Sequence, residues 1–323
     1  MPVDRNYVLP ELRQGMDHDH YDWSPLNARR PALAWPERAR VALCVVVNLE
    51  HMEWSRAPGS YQLPNLAGGY GQGPFPDVTA WSHREYGHRV GIFRVLEALD
   101  AFGIKPTIAM DAVTAEHYPF LVRHCRTRGD EIIGHGISVS RMITSRMSEE
   151  EEREYIRASV ASLTRAFGTA PRGWLGPEYG ESTRTPGLLA QAGIRYVCDW
   201  VNDEQPYPFK VPEGELYALP ISLPLDDVNA LWDRRMDIDR YGAMIKETFD
   251  ALYREGAQNG KLLVLHLHPW LIGQPFRIGC LEDALSHIMR REGVWTATGA
   301  AIVDWYRTAF EAMQEATALG HRL

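Results

Sequence analysis

The sequence predicts an α/β fold of the β/α barrel kind, on three observations. Apolar runs of strand length alternate with stretches of helical periodicity along nearly the whole chain. About seven strand and helix units follow one another, which favours a closed or nearly closed barrel over an open sheet. The longest run, RVALCVVVNLE at 40–50, is β-branched and has no polar interruption between Val41 and Asn48, as a strand covered on both faces requires.

The elements follow in order. Residues 1–39, rich in Pro, Asp and Arg but carrying Tyr7, Tyr21, Trp23 and Trp35, read as an irregular arm laid over the body or over a neighbouring subunit; 40–323 read as one domain with no internal repeat. After the first strand, 55–80 holds Gly59, Pro64, Gly68, Gly69, Gly71, Gly73, Pro74 and Pro76, a long loop of the kind compact domains keep for function. A helix is expected over 85–102, with Tyr86, Val90, Phe93 and Leu99 on its apolar stripe and Gly103 as its stop. KPTIAM at 105–110 is a strand, 114–128 a helix stopped by Gly129, and DEIIGHG a strand. From Ser148 to Phe167 runs a helix whose Ser148 and Glu151 form a capping box and whose Ile156, Val160, Leu163 and Phe167 face inward. Its acidic start, 149–154, reads as solvated. Further strands are expected at 171–177, 195–201, 216–222 and 261–269, and helices at about 185–192, 240–257 and 281–292.

The 323 residues, 45% hydrophobic and 24% charged, suffice for one barrel-sized core. Net charge is −8 and Arg29, Arg30, Arg38 and Arg40 are scattered, so a nucleic-acid partner is not expected. Cys44, Cys125, Cys198 and Cys280 show no metal-ligand spacing and read as buried free thiols. No apolar leader opens the chain and no run approaches membrane length. These features point to a cytoplasmic protein with no membrane partner.

Reacting groups of β/α barrels come from the carboxyl ends of strands and the loops beyond them. Asn48, Glu50 and His51 follow the first strand, Asp111 the second, His135 the third, Trp174 and Glu178 the fourth, Asp199, Trp200, Asn202 and Asp203 the fifth, and His266 and His268 lie on the last. That one-sided distribution predicts a site. The blander readings are core histidines tied to carbonyls for His266 and His268, a capping carboxylate for Glu50, and core packing for Trp200. WLGPEY and CDWVNDEQPY have the composition of a pocket wall for a flat polar ligand, and HPWLIGQPFR at 268–277 is either a site loop or a return to the surface.

VVVNLE, EYGHRVG, EIIGHG, RGWLGP, CDWVNDEQPY and LHLHP with GQPFR, in this order over 40–306, resemble the polysaccharide deacetylase (NodB-homology, carbohydrate esterase) superfamily. The resemblance is to its cytoplasmic branch of metal-independent allantoinase and cyclic-imide hydrolase relatives. It implies a distorted seven-stranded β/α barrel, hydrolysis of an amide-type C–N bond, and a tetramer. In metal-dependent members an acidic residue after the first strand and an H-x-x-x-H pair after the third hold a divalent ion, while a histidine on the last strand acts as acid. Carried over, these positions are Asn48 and Glu50, His135, and His268; the second histidine is replaced by Val139.

Two ligands hold a metal poorly, so no cofactor is expected, with one zinc ion on Glu50, His135 and a further group from His51, His266 or Asp111 as the alternative. The expected reaction is ring opening of a small cyclic amide, imide or ureide. Glu50 is the candidate base, and His135 and His268 are candidates to polarise the carbonyl or protonate the leaving nitrogen. Trp174, Glu178, Trp200, His266, Gln274 and Arg277 are candidate substrate-binding residues, and Glu85 and Arg89 a bracing ion pair. The alternatives are a metal-dependent deacetylase of an N-acetyl sugar and an inactive ligand-binding relative. The aromatic arm and long loop also lead us to expect a homo-oligomer.

Overall fold

The computed structural model describes residues 18–22, 30–55 and 76–320. Residues 1–17, 23–29 and 56–75, which include much of the expected arm and of the Gly/Pro loop, lie outside the described residues. Nine strands form one sheet: β1 (Val41–Leu49), β2 (Thr107–Met110), β3 (Glu131–Gly134), β4 (Gly173–Trp174), β5 (Tyr196–Val197), β6 (Tyr207–Pro208), β7 (Tyr217–Ala218), β8 (Lys261–Leu267) and β9 (Val294–Thr296). Their order is β6-β7-β5-β4-β3-β2-β1-β8, with β9 also on β1. Every pairing is parallel except β6 with β7.

All seven strands expected from sequence are present. Closure is not complete: no ladder joins β7 to β8 among the described residues, and Ser222 N reaches Val264 O at 3.4 Å across the gap. The sheet is therefore a curled half-barrel. β1 is its central beam, buried along all nine residues and laddered to β2, β8 and β9. Two short strands, β6 and β9, were not expected from the sequence: Tyr207–Pro208 and Val294–Thr296 lie outside any longer apolar run of the kind that surrounds β5 and β7.

The helices are α1 (Val78–Tyr86), α2 (Ile92–Asp100), α3 (Ala112–His117), α4 (Pro119–Arg128), α5 (Glu149–Phe167), α6 (Thr185–Gln191), α7 (Ile238–Glu255), α8 (Ile278–Met289) and α9 (Gly299–Gly320). The helix expected from residue 85 begins at Val78, since Asp77 caps it by accepting from Ala80 N at 3.0 Å. A π turn at Gly87–Gly91 joins α1 to α2. It rotates the apolar face, so Val95, Leu96 and Leu99 are buried while Val90 and Phe93 face solvent. The helix expected over 114–128 is broken before Pro119, which lacks the N–H to continue it.

α5 keeps its capping box. Its acidic start is not wholly solvated, however: Glu152 is fully buried and accepts from Ser182 Oγ at 2.7 Å, Thr185 Oγ1 at 2.5 Å and Arg184 Nε at 3.2 Å. α9 was not expected; its alanine-rich sequence gives a weak stripe, of which Ile302, Val303 and Tyr306 are buried. The arm's described part lies on the body, with the Tyr21 ring against Trp200, Tyr207 and Phe209 and the Trp35 indole donating to Lys261 O at 2.8 Å. Cys44, Cys125 and Cys198 are buried free thiols, and Cys280 is half-buried.

Candidate active site

Strand register brings the candidate side chains to one edge. Val47 pairs with Leu267, so the next residues outward, Asn48 and His268, lie at one level. Leu49 pairs with Met110 and Met110 with Gly134, which sets Glu50, Asp111 and His135 at the ends of three adjacent strands. The glycines flanking His135 are required by packing. A Cβ at Gly134 would fall 2.7 Å from the Trp174 ring, and Gly136 has φ +67° with Tyr155 Oη 2.2 Å from its Cβ position.

His135 is 1% exposed. Its Nδ1 donates to the Leu175 carbonyl at 2.6 Å, because a carbonyl only accepts. Its Nε2 lies 3.3 Å from Glu50 Oε2. The other oxygen, Oε1, accepts from Arg84 Nη1. Burial alone would raise the Glu50 pKa; Arg84, His135 and His268 reverse this and hold the carboxyl well below the ordinary range. Glu50 is a buried carboxylate that stays charged.

Arg84 reaches this position from the end of α1. In the π turn, a Cβ at Gly87 would sit 2.8 Å from Trp270 N and one at Gly91 2.0 Å from Pro269 O, so the helix rides directly on the segment after β8. Its guanidinium stacks over the Trp270 ring, 4.9 Å from the centroid. π turns of this sort commonly mark functional sites.

On the opposite side, His268 Nδ1 donates to Asp227 Oδ1 at 2.7 Å. Burial would lower its pKa, but Asp227, Glu50 and Asp226 raise it to about 9, so the ring is cationic at neutral pH. His266 Nδ1 lies 2.6 Å from Asp226 Oδ2, to which Tyr179 Oη also donates at 2.6 Å; burial lowers the His266 pKa against the pull of Asp226. The Asn48 carboxamide sits between the two rings, with Oδ1 2.8 Å from His266 Nε2 and Nδ2 3.0 Å from His268 Nε2. A cationic His268 needs an acceptor there. Turning the carboxamide over supplies it, giving oxygen to His268 and the NH2 group to a neutral His266.

Glu178 and Tyr179 hold φ of +54° and +56°, a conformation costing about 1–3 kcal/mol each and sustained only by enforced contacts. Tyr179 supplies one through Asp226. Glu178 opens to solvent at the site mouth; crowding by protein on its other sides, with Glu50 and Asp226, raises its pKa against Arg84 and His268.

The donors decide whether a divalent ion suits this site. Glu50 and His135 make a two-donor pair, Val139 in the position of a second histidine is buried and apolar, and the nearest third group, the Asn48 carboxamide at 3.4 and 3.5 Å, is already bonded between His266 and His268. Glu50 is also bound to a guanidinium, whose charge opposes a cation. These residues do not fit a zinc centre with three protein ligands. Asp111 accepts from His51 N and Thr114 N, both at 2.6 Å, and His51 packs on His117 and Tyr118 with its pKa lowered by burial to about 4, so neither completes the set. Asp226, His266 and His268 have donor atoms within 4.8 Å of one another. They are already bonded, though, to each other, to Tyr179 and to Asp227.

Several expected binding residues have other work. Trp174 is fully buried in the core beside Tyr155. Trp200 donates to Glu181 Oε2 at 2.8 Å and is packed by His18, His20, Tyr21 and Phe209. Asn202 bonds Tyr21 and Tyr207, and Asp203 pairs with Arg30. Gln274 Nε2 donates to Trp270 O at 3.1 Å and Arg277 Nη1 to Leu271 O at 3.2 Å, shaping the segment after β8. Glu85 bonds Tyr118 and pairs with His88 at 3.6 Å instead of Arg89, because the π turn intervenes and leaves Arg89 in solvent. Sequence reasoning missed Arg84, Tyr179, Asp226 and Asp227; the two aspartates follow β7 and obey the same strand-end rule that found the others.

A family model described as polysaccharide deacetylase matches residues 82–197. The crystal structure of Puue allantoinase superposes with a TM-score of 0.75 at 27% identity, covering 86% of this chain and 94% of that one. A Schizosaccharomyces pombe protein provisionally named a polysaccharide deacetylase is 28% identical over 306 residues, 86% of this chain and 94% of its own. A peptidoglycan deacetylase of Helicobacter pylori is 24% identical over 269 residues, 73% of this chain and 90% of its own.

Proposed function

From the premise that this chain carries a polysaccharide deacetylase domain and is a hydrolase of carbon–nitrogen bonds, we propose that it opens the ring of a small cyclic amide, imide or ureide without a metal. One observation carries the reading: a carboxylate held charged by a guanidinium, Glu50, faces a histidine held cationic by an aspartate, His268, across a site whose donors do not fit a divalent ion.

Glu50 Oε2, the oxygen not held by Arg84, accepts a hydrogen bond from the attacking water beside His135. Attack on the ring carbonyl passes one proton to Glu50. The C–N bond breaks as His268 gives its Nε2 proton to the leaving nitrogen, and transfer of the proton from Glu50 to His268 restores both groups. His135, fixed by the Leu175 carbonyl, orients Glu50, while His268 is the acid. Asn48 and His266 orient His268, and Glu178 stands at the mouth where a ring N–H would pass.

The similarity to Puue allantoinase supports a cyclic ureide as one substrate class. Hydantoin, succinimide, glutarimide, dihydrouracil, allantoin and N-acetylglucosamine oligomers test it, with metal analysis of the same preparation. Ring opening that persists in chelator is expected. The peptidoglycan deacetylase relative favours a second reading, a metal-dependent N-deacetylase; activity on the oligomers alone, and only with added zinc, establishes that one instead.

A further inference from the structure

Arg84 has more hydrogen-bonding capacity than the described residues use. Its side chain is 13% exposed, and one N–H bonds Glu50 Oε1. A guanidinium carries five N–H donors in a fixed fork, and no other acceptor of Arg84 is recorded among the described residues. Its guanidinium carbon lies over the Trp270 ring, 4.9 Å from the centroid, and Nη1 is tied to Glu50, so the group carrying the remaining donors is anchored by both. Trp270 is in turn a neighbour of His268, with ring centroids 6.2 Å apart. A desolvated cation with unspent donors needs an anionic or carbonyl acceptor.

We propose that Arg84 binds the carbonyl oxygen of the substrate and the oxyanion that forms on it, in the electrostatic role a divalent ion would otherwise fill. The inference rests on the ring-opening reading. Glu50 Oε2 takes the proton of the attacking water while Oε1 holds Arg84, so base and oxyanion donor share one carboxylate. The oxygen of the attacked carbonyl then develops its charge one bond from the incoming nucleophile, within reach of the fork anchored at Oε1. A fixed cation placed there selects rings with a carbonyl beside the scissile nitrogen, imides and ureides above simple lactams, because the second carbonyl delocalises the departing electron pair. The carboxylate of the opened ring is held by the same fork.

Arg84→Ala and Arg84→Lys test this by two independent readouts. The first is kcat and KM on whichever ring the wild type opens, with and without added guanidinium chloride at low concentration. Loss of an oxyanion donor lowers kcat on the order of 10²–10³-fold. The fall is expected mainly in kcat, with partial recovery of Arg84→Ala by guanidinium and an intermediate rate for Arg84→Lys. The second is calorimetric binding of succinamate, the opened form of succinimide, which is measured whether or not any ring turns over; it is expected to weaken at least about tenfold in both variants, as loss of a charge-assisted bond does. Equal kcat, or equal succinamate affinity in wild type and variants, overturns the assignment. If Arg84→Ala does not fold, Arg84→Lys keeps both readouts. A wild type that opens none of the rings defeats the ring-opening reading, and Arg84 is then judged on anion binding alone.

Discussion

His268 is tied to Asp227 twice: its backbone N–H donates to both carboxylate oxygens, at 2.9 and 3.1 Å, and its Nδ1–H donates to Oδ1 at 2.7 Å. One bond set fixes where β8 ends, and the other fixes the tautomer and charge of the ring. The acid of the proposed reaction is therefore built into the strand.

Activity should fall as pH rises through about 9, where His268 loses its proton. Asp227→Asn removes the charge that holds that proton, so the alkaline limb of kcat/KM should move to lower pH and the rate at neutral pH fall by about 10²–10³-fold. An unmoved limb in the variant would show that another group sets it. The same shift has a stability sign. A histidine near 6.5 when unfolded and about 9 when folded contributes stability fully present below about 6.5 and lost between there and 9, so thermal midpoints should decline across that window in wild type and less so in His268→Gln.

Glu50→Gln should abolish turnover by about 10²–10⁴-fold. It also leaves Arg84 without its counter-charge, and removal of one partner from a largely buried pair is destabilising. Chemical denaturation of this variant alongside the Glu50→Gln, Arg84→Met double variant separates the two effects. The double variant is expected to recover stability and no activity.

Gly91→Ala places a methyl group 2.0 Å from Pro269 O. Either the π turn or the segment after β8 must move, at a cost of about 1–3 kcal/mol. Arg84 would move with it. A fall in both unfolding free energy and kcat is expected, against a control at Gly279, whose Cβ position is open.

Glu152→Ala should cost about 3 kcal/mol, since it strands Ser182, Thr185 and Arg184 around a cavity where a buried carboxylate had satisfied all three. Urea unfolding measures it directly. Activity per folded molecule should be unchanged, as none of these residues touches the site.

β1 was legible because a strand buried on both faces leaves a long β-branched run, and the gathering of Glu50, His135 and His268 was legible because strand ends share one edge of the sheet. Arg84 was not, because it precedes the point where helical periodicity becomes visible; only the cap at Asp77 shows that α1 starts early enough to carry it inward. Trp174 and Trp200 misled for a related reason. Tryptophan has the same composition signal in a pocket wall and in a core, and only the packing of Tyr155 on one and Tyr21 on the other distinguishes them.

Three ladders meet on β1, and Asn48 and Glu50 ride its outer end. Any partial opening that frees β8, β9 or β2 singly leaves that beam clamped by the remaining two, so the amides of 41–49 should be the last in the molecule to exchange with deuterium, at the rate of global unfolding. Asn48 and the proposed base Glu50 would then be anchored in the most slowly breathing part of the chain. Heat should then silence the protein and melt it at one temperature.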